Sequence, residues 1–250
     1  MYYEIHGEGF PYVMIMAMAG DVNWWTPEII EASSKNNKVI IFDNRGTGKT
    51  DEPAMDYSMK LFADDTVGLM DALNIEKAHI LGVCMGGLIA QEIALTYPDR
   101  VEKLILGCTH CGGSKQIPPS SKFLRKMMSP KMMTPDDFLS LSFTKNFINE
   151  NPDFIESYRQ RMLKTPISLD SYNRQKQAIM GFSSGMRLRK IKAPTLILHG
   201  KEDVINPPGN AEILAKRIPR AKLIMLDNVA HFLFQPNPEI VHNAINEFLS

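Results

Sequence analysis

The stretch Gly82-Val83-Cys84-Met85-Gly86-Gly87 follows an apolar run, Ala78–Val83, and begins a helical pattern, Met85–Tyr97. A reactive residue at a sharp strand-to-helix turn projects its side chain above the end of a sheet, and small neighbours relieve the crowding. The following helix directs backbone N–H groups and a partial positive charge at the same place. The stretch therefore predicts an α/β fold in which Cys84 is a candidate nucleophile.

Short apolar runs alternate with helical patterns along most of the chain. The other predicted strands are Tyr2–His6, Tyr12–Met18, Lys38–Phe42, Val101–Gly107, Thr195–His199 and Lys222–Leu226. The other predicted helices are Met59–Asn74, Pro208–Arg217 and Pro238–Leu249. Such alternation is typical of a mostly parallel sheet flanked by helices.

One interval, residues 114–187, breaks this alternation because it contains helical patterns cut by prolines and no convincing strand. We predict a helical cap at 114–187, inserted into one core formed by residues 1–113 and 188–250. Seven of the sixteen methionines lie in the interval: Met127, Met128, Met132, Met133, Met162, Met180 and Met186. Methionine fills irregular apolar space, which suits a lid over an adaptable pocket. Ordinary helical core packing is the alternative.

A nucleophile needs a base, and the base needs an acid to orient it. Asp203 follows the predicted strand Thr195–His199, and His231 follows the predicted strand Lys222–Leu226. The carboxyl ends of parallel strands meet at one edge of an open α/β sheet, where sites assemble. Cys84, Asp203 and His231 are therefore the predicted catalytic residues.

The order nucleophile, acid, histidine is that of the α/β-hydrolase fold, and the chain resembles this superfamily along nearly all its length. The resemblance is closest to small capped members, namely the enol-lactonase, haloperoxidase-like and aryl-esterase groups. Asp43–Thr50 is similar to their D-x-R-G-x-G-x-S loop, a structural element whose arginine ties backbone together. The loop also ends like a phosphate-binding P-loop, but Asp43 stands where that motif needs a glycine, which excludes the nucleotide interpretation.

Two features depart from the family pattern. Most members have serine at the position of Cys84, although dienelactone hydrolase uses cysteine. A neighbouring histidine and a helix N-terminus favour the thiolate form of such a cysteine. The alternatives are a packing cysteine in an inactive relative, or a replacement that cripples a serine enzyme. In addition, Met16-Ala17 replaces the usual His-Gly, and the resemblance assigns the oxyanion-binding N–H groups to Met18 and Met85.

Pocket-lining roles are expected for four residues near these strand ends: Trp24, Trp25, His110 and Phe232. Cys108-x-x-Cys111 lacks a second pair at zinc spacing, so no metal site is predicted. The other histidines, His6, His79, His199 and His242, are interpreted as strand, hinge or surface residues.

The composition of the chain excludes several kinds of binding partner and cellular location. Lys+Arg 28 balances Asp+Glu 28, which argues against partners such as nucleic acid or anionic membranes. No apolar run has the roughly 20 residues that cross a bilayer, and the N-terminus lacks a secretory pattern. Three cysteines without a regular framework favour a reducing cytoplasm. We expect a monomer or homodimer.

The sequence thus predicts a hydrolase that cleaves a carboxylic ester, lactone or thioester through an acyl-enzyme on Cys84, without cofactor. The partner is a small-molecule acyl substrate. An acyltransferase using the same triad is one alternative, because triad chemistry does not select the final acceptor. A ligand-binding relative with little turnover is the other.

Overall fold

The computed structural model describes residues 1–129 and 131–250 and contains a seven-stranded sheet. The strands are β1 (Tyr3–His6), β2 (Phe10–Ile15), β3 (Asn37–Phe42), β4 (Ala78–Val83), β5 (Val101–Gly107), β6 (Thr195–Gly200) and β7 (Ala221–Leu226). Their order across the sheet is β1-β3-β2-β4-β5-β6-β7. Strand β1 runs antiparallel to β3, and the other neighbouring pairs are parallel. The predicted mostly parallel sheet flanked by helices is confirmed.

Helices connect and cover the strands. They are α1 (Pro27–Ser34), α2 (Met59–Ala72), α3 (Met85–Thr96), α4 (Ser121–Met127), α5 (Pro135–Ser142), α6 (Lys145–Glu150), α7 (Pro152–Met162), α8 (Leu169–Met180), α9 (Gly209–Arg217) and α10 (Pro238–Leu249). Among the described residues, no helix is both long and apolar enough to span a membrane.

Side chains alternate between the two faces of the sheet, and each face has its own apolar core. From β2, Val13 and Ile15 pack with helices α2, α3 and α9, whereas Tyr12 and Met14 pack on the other face with α1 and α10. Because the central strands are covered on both faces, they consist of continuous apolar runs. Burial of each large aliphatic side chain contributes about 1.5–3 kcal/mol to this framework.

Helices α4 to α8 lie between β5 and β6. Pro135 and Pro152, which interrupt the helical pattern in the sequence, are the first residues of α5 and α7, where the missing N–H costs nothing. An isolated antiparallel bridge joins Gly112 to Ser183, where the chain leaves and rejoins the sheet region. The interval is thus helical, and a cap at 114–187 stays a prediction.

The largest boundary error of the sequence analysis concerns β2. The predicted strand Tyr12–Met18 ends at Ile15 instead, because the chain turns out of the sheet there. The N–H of Gly20 donates to the carbonyl of Ala17, and Ala19 has a positive φ of 64°. The other strand and helix boundaries differ from the prediction by at most two residues.

The loop 43–50 is structural, but its arginine acts differently from the prediction. Carboxylate oxygens of Asp43 accept hydrogen bonds from the N–H groups of Val22 and Lys49, both at 2.8 Å. The Arg45 guanidinium instead binds the Asp65 carboxylate on α2, with Nε–Oδ2 at 2.8 Å. Asp43, not Arg45, therefore ties the backbone together.

Candidate active site

Cys84 lies at the turn between β4 and α3 with φ 52° and ψ −114°. This conformation is strained for a residue with a side chain, at a cost of about 1–3 kcal/mol. A Cβ on Gly82 would lie 2.1 Å from the Gly86 carbonyl oxygen, and one on Gly86 would lie 2.1 Å from that of Ile15. Only glycine fits at these two positions, which explains the motif around the cysteine.

Neighbouring residues of β5 and its following loop hold this turn. The Cys84 N–H donates to the Gly107 carbonyl at 2.9 Å, and the Thr109 hydroxyl donates to the Cys84 carbonyl at 2.7 Å. Cys84 is half-buried, whereas Cys108 and Cys111 are buried. Of the three cysteines, Cys84 is the one whose side chain is most accessible.

Asp203 and His231 are joined by a hydrogen bond from the strand ends of β6 and β7. The distance from His231 Nδ1 to Asp203 Oδ2 is 2.8 Å. The other carboxylate oxygen of Asp203 accepts from the N–H groups of Ile205 and Asn206, at 2.9 and 2.8 Å. The carboxylate is therefore fixed by two backbone donors while it orients the ring.

Charge coupling dominates the protonation of this pair. Burial disfavours the charged ring, but the Asp203 carboxylate and the nearby Cys84 outweigh burial and raise the pKa of His231 to about 10. Burial likewise opposes ionisation of Asp203, yet the positive charge of His231 and hydrogen bonds from His199 and His231 hold its pKa well below the ordinary value. The arrangement favours an imidazolium beside a carboxylate.

The sequence analysis missed two residues that contact the site. The Asn206 amide donates to the Cys108 carbonyl at 2.6 Å, and its Nδ2 lies 3.9 Å from Cys84 Sγ. His199, interpreted from sequence as an ordinary strand residue, lies in β6 with Nε2 2.7 Å from the Asn206 carbonyl. The same nitrogen is 3.3 Å from Asp203 Oδ2. The sequence signal for this contact was that His199 precedes Asp203 by four residues and that the end of β6 lies between them.

The loop after β2 carries Met18, which lines a cavity together with Met85 and Cys84. The Asn44 amide donates to the Met16 carbonyl at 3.2 Å. Gln175 of α8 accepts from the N–H of Ala19 at 2.9 Å. The backbone on both sides of Met18 is thus held by side chains from other parts of the chain.

The cavity above Cys84 has a volume of about 530 Å³. The floor of the cavity is defined here as Cys84, His231 and Asn206, together with Asp203, which lies behind them. The roof is defined as the lining residues between positions 116 and 180. Six of the seven methionines of the helical interval line the roof: Met127, Met128, Met132, Met133, Met162 and Met180. The seventh, Met186, is 69% exposed.

The four residues expected in the pocket divide between two spaces. Trp24 and His110 line the large cavity. Trp25 and Phe232 line a smaller one of about 40 Å³, which also borders Trp24, Cys84 and His231. Phe232 belongs to an aromatic cluster, with its ring centroid 4.9 Å from that of Phe143. These aromatic side chains form walls beside the cysteine.

His110 is buried in a neutral form. Its Nδ1 accepts a hydrogen bond from the Gly112 N–H at 3.0 Å. Burial and the positive charge of His231 lower the pKa of His110 to about 4. The neutral ring therefore carries its proton on Nε2, and His110 lines the large cavity.

Among the described residues, one group gathers three possible metal ligands: Cys108, Asp203 and His231, whose donor atoms lie within 4.8 Å of one another. Burial, followed by the Asp203 charge, raises the pKa of the Cys108 thiol. A metal would have to displace that proton and the hydrogen bond between Asp203 and His231. The donor set therefore fits a metal poorly.

The chain is similar in sequence to known hydrolases. The family model described as serine aminopeptidase S33, Hydrolase_4, matches residues 25–237. The proposed carbamate hydrolase RutD of Azorhizobium caulinodans is 27% identical over 259 residues, covering 99% of this chain and 94% of RutD. The poly(3-hydroxyalkanoate) depolymerase of Ectopseudomonas oleovorans is 31% identical over 223 residues, covering 88% of this chain and 77% of that protein.

A solved structure extends the likeness to the whole fold. The enol-lactonase of Burkholderia xenovorans LB400 superposes with a TM-score of 0.88 at 25% identity, covering 99% of this chain and 95% of the lactonase. The matched family model, the mostly parallel sheet and the turn at Cys84 lead to one conclusion. The chain belongs to the Hydrolase_4 family of α/β hydrolases.

Proposed function

We propose that the protein hydrolyses a carboxylic ester, lactone or thioester, with Cys84 as nucleophile, His231 as base and acid, and Asp203 as the orienting carboxylate. The observation that carries the proposal is the 2.8 Å contact between His231 Nδ1 and Asp203 Oδ2 at the floor of the cavity that Cys84 also lines. This arrangement supports the assignment of the nucleophile, the base and the orienting acid that acyl chemistry of this kind requires.

Acylation begins when the Cys84 sulfur, as thiolate beside the His231 imidazolium, attacks the carbonyl carbon. A C–S bond forms, and the carbonyl electron pair moves onto oxygen. When that pair returns, the bond to the leaving group breaks and His231 gives its proton to the departing oxygen or sulfur. The products are a thioester on Cys84 and a neutral alcohol or thiol, so that atoms and charge balance.

Deacylation uses the same residues, but His231 now begins as the base that accepts a proton. Neutral His231 takes a proton from water as the water oxygen attacks the thioester carbonyl. The tetrahedral intermediate expels the Cys84 thiolate and releases the carboxylic acid. Asp203 stabilises the imidazolium in both halves and holds the ring in the tautomer that presents Nε2 to the reaction.

The N–H groups of Met18 and Met85 are the proposed donors to the oxyanion. Removal of one such donor costs about 3–4 kcal/mol in comparable sites. Main-chain donors do not depend on side-chain identity, so the replacement of His-Gly by Met16-Ala17 is compatible with the role. The hydrogen bonds of Asn44 and Gln175 on either side of Met18 support it.

The names of the relatives support acyl hydrolysis as the reaction class. They include a proposed carbamate hydrolase, a polyester depolymerase and an enol-lactonase. Each of these names describes cleavage of a bond to an acyl carbon. The apolar roof supports an apolar acyl or aryl group as the part of the substrate that fills the cavity.

The test is a panel of 4-nitrophenyl esters, a lactone and a thioester, assayed with the wild type and Cys84→Ala. Acyl hydrolysis predicts turnover of at least one substrate class that is lost in the variant. Rapid acid quenching and mass spectrometry should detect the acyl group on the peptide that contains Cys84. Equal rates in the two proteins, or no turnover of any class, would contradict the proposal and favour a ligand-binding protein.

Cys84→Ser distinguishes a native thiol from a crippling replacement. An alcohol depends more strongly on the base than a thiol does, so activity should fall in the serine variant. A severalfold rise in ester hydrolysis would instead indicate that the cysteine stands in for a serine. Product analysis with added alcohol, amine or thiol separates hydrolysis from acyl transfer.

A further inference from the structure

The large cavity has one strongly charged side chain in its roof. Lys176 is the one lysine, arginine, aspartate or glutamate among the described residues that line it. Most other roof residues are apolar, and the remaining polar groups are concentrated at the floor around Cys84 and His231. A charge in such surroundings is costly unless it has a partner.

The position of Lys176 on its helix is unusual. From α8, the residues that line the cavity are Tyr172, Lys176, Ile179 and Met180. Their spacing places them on one face of the helix. Packing alone favours an apolar side chain in the middle of that face, so Lys176 interrupts an otherwise continuous apolar surface.

The helix around Lys176 is held in register. The adjacent Gln175 accepts from the Ala19 N–H at 2.9 Å and donates to the Arg45 carbonyl at 3.2 Å. The ammonium nitrogen of Lys176 lies 5.7 Å from the centroid of the Tyr172 ring, on the cavity wall. Rotation of α8 to remove the lysine from the cavity would break both hydrogen bonds of Gln175.

Some cations of the helical interval have carboxylate partners, for instance Arg174 with Glu52 at 3.5 Å and Lys126 with Asp137 at 2.6 Å. Lys176 forms no ion pair with any residue in the described ranges 1–129 and 131–250. A half-buried ammonium that lines the cavity and contacts the Tyr172 ring, with no carboxylate partner among the described residues, is suited to a ligand anion.

We propose that Lys176 is an anion subsite of the active site, and that the preferred substrates carry a carboxylate at the far end of an apolar segment from the scissile carbonyl. This inference rests on the proposed acyl hydrolysis at Cys84. A single ammonium matches a monoanion, whereas a phosphate dianion is usually bound by several donors or a bidentate guanidinium. The substrate class is therefore that of ω-carboxy esters and their lactone or thioester equivalents.

The experiment compares matched substrates of equal chain length. One pair places the charge on the acyl side: mono-4-nitrophenyl adipate against 4-nitrophenyl hexanoate. The second pair places it on the alcohol side: 6-acetoxyhexanoate against hexyl acetate. We expect kcat/KM to be at least about tenfold higher for the carboxylate in one of the pairs, as one charge-assisted contact allows.

Three substitutions of Lys176 test whether this side chain causes the preference for the carboxylate. Lys176→Met should abolish the preference, because kcat/KM for the carboxylate ester falls to about that for the matched neutral ester in the same variant. Lys176→Glu should reverse the preference, and Lys176→Arg should retain most of it. Lys122→Met, at an exposed position of α4, is the matched control and should behave like the wild type. No preference in either pair, or a preference that survives Lys176→Met, overturns the anion subsite.

A binding measurement keeps this inference separate from the proposed function. If no substrate is turned over, the hydrolytic proposal fails, and calorimetry with monomethyl adipate and methyl hexanoate then tests Lys176 alone. The subsite predicts tighter binding of the carboxylate to the wild type and equal binding of both ligands to Lys176→Met. Equal binding of both ligands to the wild type, or no binding of either, contradicts it.

Discussion

The floor of the cavity is formed by residues that follow strand ends, whereas the roof is formed largely by helices α4 to α8. On the floor, Asp203 and Asn206 are each 3% exposed and each makes several hydrogen bonds. On the roof, Met128 and Met180 are 81% and 73% exposed. The floor is thus buried and polar with specified distances, and the roof is apolar and partly open.

This difference separates two requirements of an enzyme. Proton transfer needs atoms held within hydrogen-bond distance, which buried networks provide. Accommodation of an apolar substrate needs contact area without strict geometry, and unbranched methionine side chains supply it. We therefore expect floor substitutions to change the rate of chemistry and roof substitutions to change substrate preference.

The largest effect should come from Cys84→Ala, which removes the proposed nucleophile. We expect kcat/KM for a 4-nitrophenyl ester to fall by at least about 10⁴-fold, since His231 and Asp203 cannot replace the proposed covalent step. Cys111→Ala, at a buried cysteine that does not line either cavity, is the control and should retain activity. A loss below about tenfold in Cys84→Ala would remove the sulfur from the mechanism.

Asp203→Asn should come next, with a decrease in kcat of about 10³- to 10⁴-fold. The amide preserves size but no longer stabilises the imidazolium and favours the wrong tautomer. Asp227→Asn, at a carboxylate that pairs with Lys201 at 2.6 Å on the surface, is a matched control. Comparable losses in both variants would point to a general charge effect.

The coupled protonation of His231 predicts a pH-dependent stability. Its pKa is about 10 in the folded protein against an ordinary value of 6.5, so the folded state binds this proton more tightly. The resulting stabilisation is complete below pH 6.5 and is lost as the pH rises through 10. The free energy of unfolding of the wild type, relative to His231→Gln, should therefore decrease by on the order of a few kcal/mol across this range. A constant difference from pH 6 to 10 contradicts the coupling.

Gln175→Met tests the connection between roof and floor. The substitution retains side-chain volume but loses the hydrogen bonds to Ala19 and Arg45. We expect kcat to fall about tenfold because the loop that carries the proposed oxyanion donor Met18 loses a support, as positioning errors of this kind reduce rate. Gln177→Met, exposed on the same helix, should have no such effect. Rates that are unchanged in Gln175→Met would separate α8 from catalysis.

The smallest effect is expected for Met133→Leu in the roof. With a short acyl ester the rate should change by less than about threefold, because volume is nearly conserved. Across a series of acyl lengths, the stiffer branched side chain should narrow the range of accepted esters. The exposed Met186→Leu is the control. A large decrease in kcat for the short ester would show that the roof also controls the chemistry.

Local patterns were sufficient to predict the floor in outline. The turn at Cys84 and the strand ends before Asp203 and His231 are encoded in short segments with clear composition, and the alternation of runs predicts the mostly parallel sheet but not its strand order. The end of β2 was placed three residues late, because the apolar run continues through Met18 after the chain has left the sheet.

The supporting contacts were not predictable in the same way. Gln175 and Ala19 are 156 positions apart in the sequence, and Asn206 and Cys84 are 122 apart. An isolated glutamine or asparagine carries no pattern that identifies its partner. His199 was missed because a histidine inside an apolar strand resembles a packing residue until the loop carrying Asp203 folds back on it.

Alkylation with iodoacetamide, followed by peptide mapping across a pH series, tests the central claim that Cys84 and His231 act as a pair. In the wild type we expect Cys84 to be labelled near neutral pH well before Cys108 and Cys111, because a neighbouring imidazolium favours the reactive thiolate. In His231→Ala this labelling should disappear at neutral pH and return only in alkaline solution. Equal labelling of the three cysteines, or the same pH profile in His231→Ala, contradicts the account.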